Sequence, residues 1–229
     1  MCLHFFPQSS GGSTGLTGTC LTEDECNNRA GGVKSGNCAS GFGVCCVTSV
    51  NTCGSTVNDN CTYIQNPGYP TAFDGTACQY TIKQSADVCQ IRLDYQTFSI
   101  RGPDLTLDGN RECDLDSWTI TGGNSLAPAT PAALANHNPP VICGLATGQH
   151  MYIDVGGSTT TDLTVAFAGS ATGTNRNWNV KVSYIHCDSE YLVPTGCGQY
   201  LTGVSGNVKS FNFDVTTAAE VWIELETIA

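Results

Sequence analysis

Apolar and polar residues alternate with a period of two along much of residues 77–187, the spacing of half-buried strands rather than helices. Ile91, Leu93 and Tyr95 alternate with Arg92, Asp94 and Gln96. The phase then slips, and Phe98 and Ile100 continue the apolar face one residue late, which predicts a bulge near Gln96 and Thr97. After a polar turn, Trp118 and Ile120 face inward while Ser117, Thr119 and Thr121 face outward. The chain is organised around these two runs. Further strands are predicted at Cys78–Ile82, Met151–Val155, Leu163–Phe167 and Trp178–Tyr184. Gly, Asn and Ser clusters separate them, as in an all-β sandwich. The Pro- and Ala-rich stretch from Asn124 to Pro140 reads as an extended surface loop. No long segment shows helical periodicity.

Composition places this sandwich outside the reducing compartments. The chain has 14 cysteines and no Cys-x-x-Cys spacing, so a disulfide framework is expected rather than a zinc site. Charged residues make up only 13% of the chain and the formal net charge is -11. With no Lys/Arg cluster, nucleic acid is excluded as a natural partner. No apolar stretch is long enough to span a bilayer. The opening Met1–Pro7 lacks the basic start and long apolar core of a signal peptide. A disulfide-rich chain must still be exported, so the expectation is a mature fragment or an opening that is not the natural start.

Residues 1–48 form a Gly- and Ser-rich module with Cys2, Cys20, Cys26, Cys38, Cys45 and Cys46, too short for a large core and in need of covalent staples. Adjacent Cys45 and Cys46 must project to different partners. The cysteine order, ending Gly43-Val44-Cys45-Cys46, resembles the clip modules of arthropod secreted proteins. That resemblance implies Cys2–Cys45, Cys20–Cys38 and Cys26–Cys46. Residues 53–187 resemble a CUB domain. The motifs are Cys53-Gly54, Asn66-Pro67-Gly68-Tyr69-Pro70, Cys78-Gln79-Tyr80-Thr81-Ile82, Ile91-Arg92-Leu93-Asp94-Tyr95, Cys113-Asp114-Leu115-Asp116-Ser117-Trp118 and Ile142-Cys143-Gly144. The resemblance implies a jelly-roll type antiparallel sandwich with Cys53–Cys78 and Cys113–Cys143. Cys61 and Cys89 are extra and are paired with each other by elimination. Cys187–Cys197 is the default for the last pair. Residues 194–229, with Phe211, Phe213, Val215, Val221, Ile223 and Leu225, resemble the first strands of a second CUB-like sandwich.

Candidate chemistry is sparse. The histidines His4, His137, His150 and His186 have no companion motif, no strand-to-helix nucleophile elbow is present, and neither motif of a chymotrypsin-like protease occurs. No catalytic residues and no cofactor are therefore expected. The CUB resemblance implies a calcium site in many members, built on a Glu after the central strand, an Asp past the third cysteine and an Asp in a later loop. Asp116 matches the second ligand, whereas Arg101 stands at the first position and the loop Gly169–Asn177 has no acid. Asp104, Asp108, Glu112 and Asp114 read as a solvated acidic turn, although they could hold a different site. The expectation is a domain that does not need calcium. Asn60-Cys61-Thr62 fits the N-glycosylation pattern, and Trp222, out of phase with Val221 and Ile223, is a candidate contact residue. These readings converge on a secreted, non-enzymatic glycoprotein that uses CUB-like modules for protein–protein interaction, self-association or structural assembly. The alternatives are a regulatory arm of a secreted clip- and CUB-containing protease and a lectin-like defence role.

Overall fold

The computed structural model describes residues 15–103, 113–123, 139–155, 162–171, 175–202 and 208–211. The N-terminal module contains β1 (Thr19–Leu21), α1 (Glu23–Asn28), β2 (Gly32–Cys38) and β3 (Gly43–Val50). The six-residue α1 has no apolar period, and its start explains it. Thr22 accepts from the Glu25 main-chain N–H, and the Glu25 carboxylate accepts from Thr22 N at 2.9 Å, a reciprocal cap. Glu23, Asp24 and Glu25 place negative charge on the first turn, where the helix dipole favours it.

The remaining strands are β4 (Thr56–Val57), β5 (Thr62–Gln65), β6 (Ala77–Ile82), β7 (Val88–Ser99), β8 (Asp116–Thr121), β9 (His150–Asp154), β10 (Leu163–Gly169) and β11 (Asn177–His186). One sheet runs β4-β6-β10-β8. The other runs β1-β3-β5-β11-β7-β9, with β2 on β3, so the module and the sandwich share a hydrogen-bonded sheet. The joint is a parallel pairing of β3 with β5, Thr48 opposite Thr62 and Val50 opposite Ile64.

The molecule is an all-β sandwich of two sheets. The inward residues of the predicted runs meet between the sheets. Phe98 stands edge-on to Trp118 at 5.4 Å, Trp118 to Trp178 at 5.6 Å, and all three are completely buried. The two organising strands, β7 and β8, thus lie in opposite sheets and meet through side chains. The bulge falls where the phase slips: Tyr95 pairs with Val180 and Thr97 with Asn179, leaving Gln96 over and exposed. Asn66 fixes the Pro67–Pro70 turn, donating to Thr71 O at 2.8 Å while accepting from Trp178 N at 2.9 Å.

The bonds Cys20–Cys38, Cys26–Cys46, Cys53–Cys78 and Cys113–Cys143 are present. The expected Cys61–Cys89 and Cys187–Cys197 pairs require correction. Cys89 bonds Cys187, with Cα atoms 4.8 Å apart. A register shift explains it: Val88 on β7 pairs with His186 on β11 and Gln90 with Ile185, so Cys89 is left over in a bulge beside the end of β11, within reach of Cys187. Cys61 precedes β5, on the far side of β11 from β7, and is itself disulfide-bonded. Cys197 is a free thiol, and so is Cys45. The expected Cys2–Cys45 bond is thereby also corrected: Cys45 sits opposite Cys20 within the β1–β3 pair, and Cys2 lies outside the described residues.

Of the segment 194–229, residues 203–207 and 212–229 lie outside the described residues. The described part lies on the first sandwich. Gln90 donates to Val193 O at 2.9 Å and accepts from Val193 N at 3.0 Å. Tyr152 N donates to Gly198 O at 2.8 Å, so this segment covers the free edge of β9. Phe211 stands edge-on to Tyr95 at 6.3 Å.

Candidate functional site

The densest polar cluster lies where β8 begins, between the ends of β7 and β10 and the start of β11. Asp116, 1% exposed, opens β8 opposite Gly169, the last residue of β10. Arg176 immediately precedes β11 and is 0% exposed. Its Nε donates to Asp116 Oδ2 and its Nη2 to Asp116 Oδ1, both at 2.7 Å. Its remaining donors reach Gly75 O at 2.9 Å and Ala171 O at 2.6 Å, and the guanidinium lies 5.0 Å from the Phe167 ring centroid. Arg101 closes the cluster from the rim. Its main-chain N donates to Asp116 Oδ2 at 2.9 Å, and its Nε and Nη2 donate to Oδ1 at 3.2 and 3.0 Å. Gly169 makes room for this: a Cβ there would lie 2.5 Å from Arg176 Nη2 and 2.9 Å from Asp116 Oδ1.

Burial pushes the Asp116 carboxyl up, but the hydrogen bonds from Arg176 and from the Arg101 main chain and guanidinium outweigh it and hold it below the usual carboxylate range. Five donors engage its two oxygens. That saturates a group with about four lone-pair sites. Calcium requires six to eight oxygen ligands, several of them carboxylate in its usual sites. Here one carboxylate is already occupied, and two guanidinium groups place positive charge where the ion would sit. The described residues of this corner do not fit calcium. Asp116 and Arg101 were both legible as elements of this corner; Arg176 was missed. The only sequence signal was a basic residue in the loop where the resemblance implies an acid.

The other candidates are dispersed. Asn60 is half-buried, and its Oδ1 accepts from Tyr184 N and Cys61 N, both at 2.8 Å, tying the β4–β5 connection to β11. His150 Nε2 accepts from Tyr200 N at 3.1 Å, and His186 lies 3.0 Å from Asp87. Burial and the nearby Arg92 both push the His150 pKa down. The two histidines stand at the start of β9 and the end of β11 respectively. His4, His137, Asp104, Asp108, Glu112 and Trp222 lie outside the described residues, and Asp114 is exposed beside Cys113. Among the described residues, no group of three or more His, Cys, Asp or Glu side chains is placed to hold a metal ion.

No protein-family model matches the chain, and no curated protein matches it. Solved structures do. The full extracellular region of zebrafish Gpr126/Adgrg6 is 17% identical, with a TM-score of 0.41 over 59% of this chain and 15% of that one. The MASP-1 CUB2 domain bound to Ca2+ is 17% identical, with a TM-score of 0.39 over 57% of this chain and 98% of that one. The CUB1-EGF-CUB2 domain of human MASP-1/3 is 15% identical, with a TM-score of 0.41 over 74% of this chain and 55% of that one.

Proposed function

We propose that this chain is a secreted, non-enzymatic extracellular protein whose CUB-like sandwich is a calcium-independent platform for protein–protein interaction or structural assembly. The observation that carries the reading is the Asp116–Arg101–Arg176 cluster. The corner that the CUB resemblance marks for an ion is instead closed by side chains of the chain itself. The disulfides support an oxidising location, because staples of this density form and persist outside the cytosol. The surface also displays large apolar side chains, with Phe42 91% exposed and Tyr191 and Leu201 more than half exposed. Exposed aromatic residues of this kind anchor protein contacts. In this reading the N-terminal module extends the platform through the β3–β5 joint, and Asn60 is the candidate glycan acceptor.

Purification from the surrounding fluid under non-denaturing conditions, with companions identified by mass spectrometry, tests the proposal. The expected result is an oxidised chain with a companion protein in constant ratio. Recovery inside cells with reduced thiols, or repeated recovery without any companion, contradicts it.

A further inference from the structure

The N-terminal module sets a free thiol against a disulfide. Val44 and Cys46 of β3 pair with β1 residues on one side and with β2 residues on the other, so β3 is the middle strand. β1 places Cys20 directly opposite Cys45. Residues directly opposite in an antiparallel pair share a face, with Cα atoms roughly 4.5–5.5 Å apart. That separation lies within the range of about 4.4–6.8 Å that a disulfide spans. Cys20 is bonded instead to Cys38, at the end of β2. This bond crosses β3 above Gly43, where a Cβ would lie 2.9 Å from Cys20 Sγ and 3.0 Å from Cys38 Sγ. Gly43 and Cys45 are two residues apart on one strand and so present the same face. The Cys45 thiol and the Cys20–Cys38 bond therefore occupy one surface of the module. Cys20 is exposed and Cys45 half-buried, so solvent and thiol reagents reach both.

We propose that Cys45 is the resolving thiol of an intramolecular disulfide exchange. Cys45 loses its proton to solvent, and the thiolate attacks Cys20 Sγ. The Cys20–Cys38 bond breaks, a Cys20–Cys45 bond forms, and the Cys38 thiolate leaves and takes up a proton. One disulfide and one thiol stand on each side of the reaction, so no oxidant or reductant is needed. The exchange has a structural consequence at the adjoining hairpin tip. Cys38 anchors the turn Ala39-Ser40-Gly41-Phe42, whose first three residues have φ values of +49°, +57° and +93°. These left-handed conformations are costly outside glycine and persist only where the surroundings hold them. Releasing Cys38 unpins the turn that displays Phe42, so the exchange switches the tip between a fixed and a relaxed form.

Trapping free thiols of the full-length native protein with iodoacetamide, followed by acid quench and non-reducing peptide mapping, tests this. The expected result is two populations: Cys45 labelled with Cys20–Cys38 intact, and Cys38 labelled with Cys20–Cys45 formed. In Cys45→Ser the labelling of Cys38 disappears. In Cys38→Ser the Cys20–Cys45 bond forms in nearly all molecules. Label on Cys45 but never on Cys38 in the wild type, Cys45 bonded to any residue other than Cys20, or labelled Cys20 and Cys45 together in Cys38→Ser overturns the proposal.

Discussion

Asp116 and Arg176 form a fully buried ion pair, and that makes each indispensable to the other. Removing one partner of such a pair strands the other in a low-dielectric site at a cost of about 3–5 kcal/mol. Asp116→Ala is therefore expected to lower the denaturation midpoint sharply. Arg101→Ala should cost less, because the Arg101 side chain is 26% exposed and water can replace it. Calcium should move neither the wild-type midpoint nor the baseline of a titration calorimeter; a saturable heat that Asp116→Ala abolishes contradicts this. His150 gives a second, pH-linked expectation. Its pKa is held down by burial and by Arg92, against an opposing effect from Asp94, with the Tyr152 ring edge-on beside it. A depressed histidine stabilises the fold fully above the unfolded value of about 6.5, and that stability is lost as pH falls from there through the folded value. Thermal midpoints measured across this window should fall in the wild type and fall less in His150→Gln. The sequence made Asp116 and Arg101 legible because both occupy motif positions. Arg176 stayed hidden because its partner lies 60 residues earlier, and only the β8–β10 and β7–β11 registers bring the pair together.

Alternation was readable along β6, β8, β9 and β10 because each has one buried and one more exposed face, whereas β11 is buried on both faces over 178–182. Even the bulge at Gln96 announced itself as a shift of phase. Which strands become neighbours was not readable, since periodicity carries no information about partners. The pairing assigned to Cys61 and Cys89 failed for that reason: β11 lies between the strands that follow and contain them. The Cys89–Cys187 staple ties β7 to β11 across 98 residues of sequence. In the chain-entropy model, closing a loop of that size contributes about 4.7 kcal/mol, less any strain. Non-reducing peptide mapping should recover a Cys89–Cys187 peptide, and replacing both residues by Ser should lower stability by a substantial part of that figure. A Cys61–Cys89 peptide contradicts the strand order itself. The short α1 was missed at the same scale, because it rests on the Thr22–Glu25 cap and the Cys26–Cys46 bond rather than on an apolar stripe.

The module and the sandwich behave as one body if their shared sheet is the dominant joint. β3 pairs with β5, Tyr63 Oη accepts from Thr17 N at 2.9 Å, and Arg29 approaches Asp59 at 3.6 Å. A single calorimetric transition is expected for the oxidised chain; a separate early transition that Tyr63→Phe leaves unmoved speaks for an independent module. A stapled body of this kind presents a preformed surface and loses little conformational freedom on binding. If the chain is the interaction platform proposed above, its partners should be held without help from an ion. Sedimentation velocity of the natively purified protein, run once with calcium and once with EDTA, tests this most directly. A complex heavier than the chain alone, sedimenting identically in both buffers, is expected. A free chain in both, or a complex that dissociates in EDTA, contradicts it.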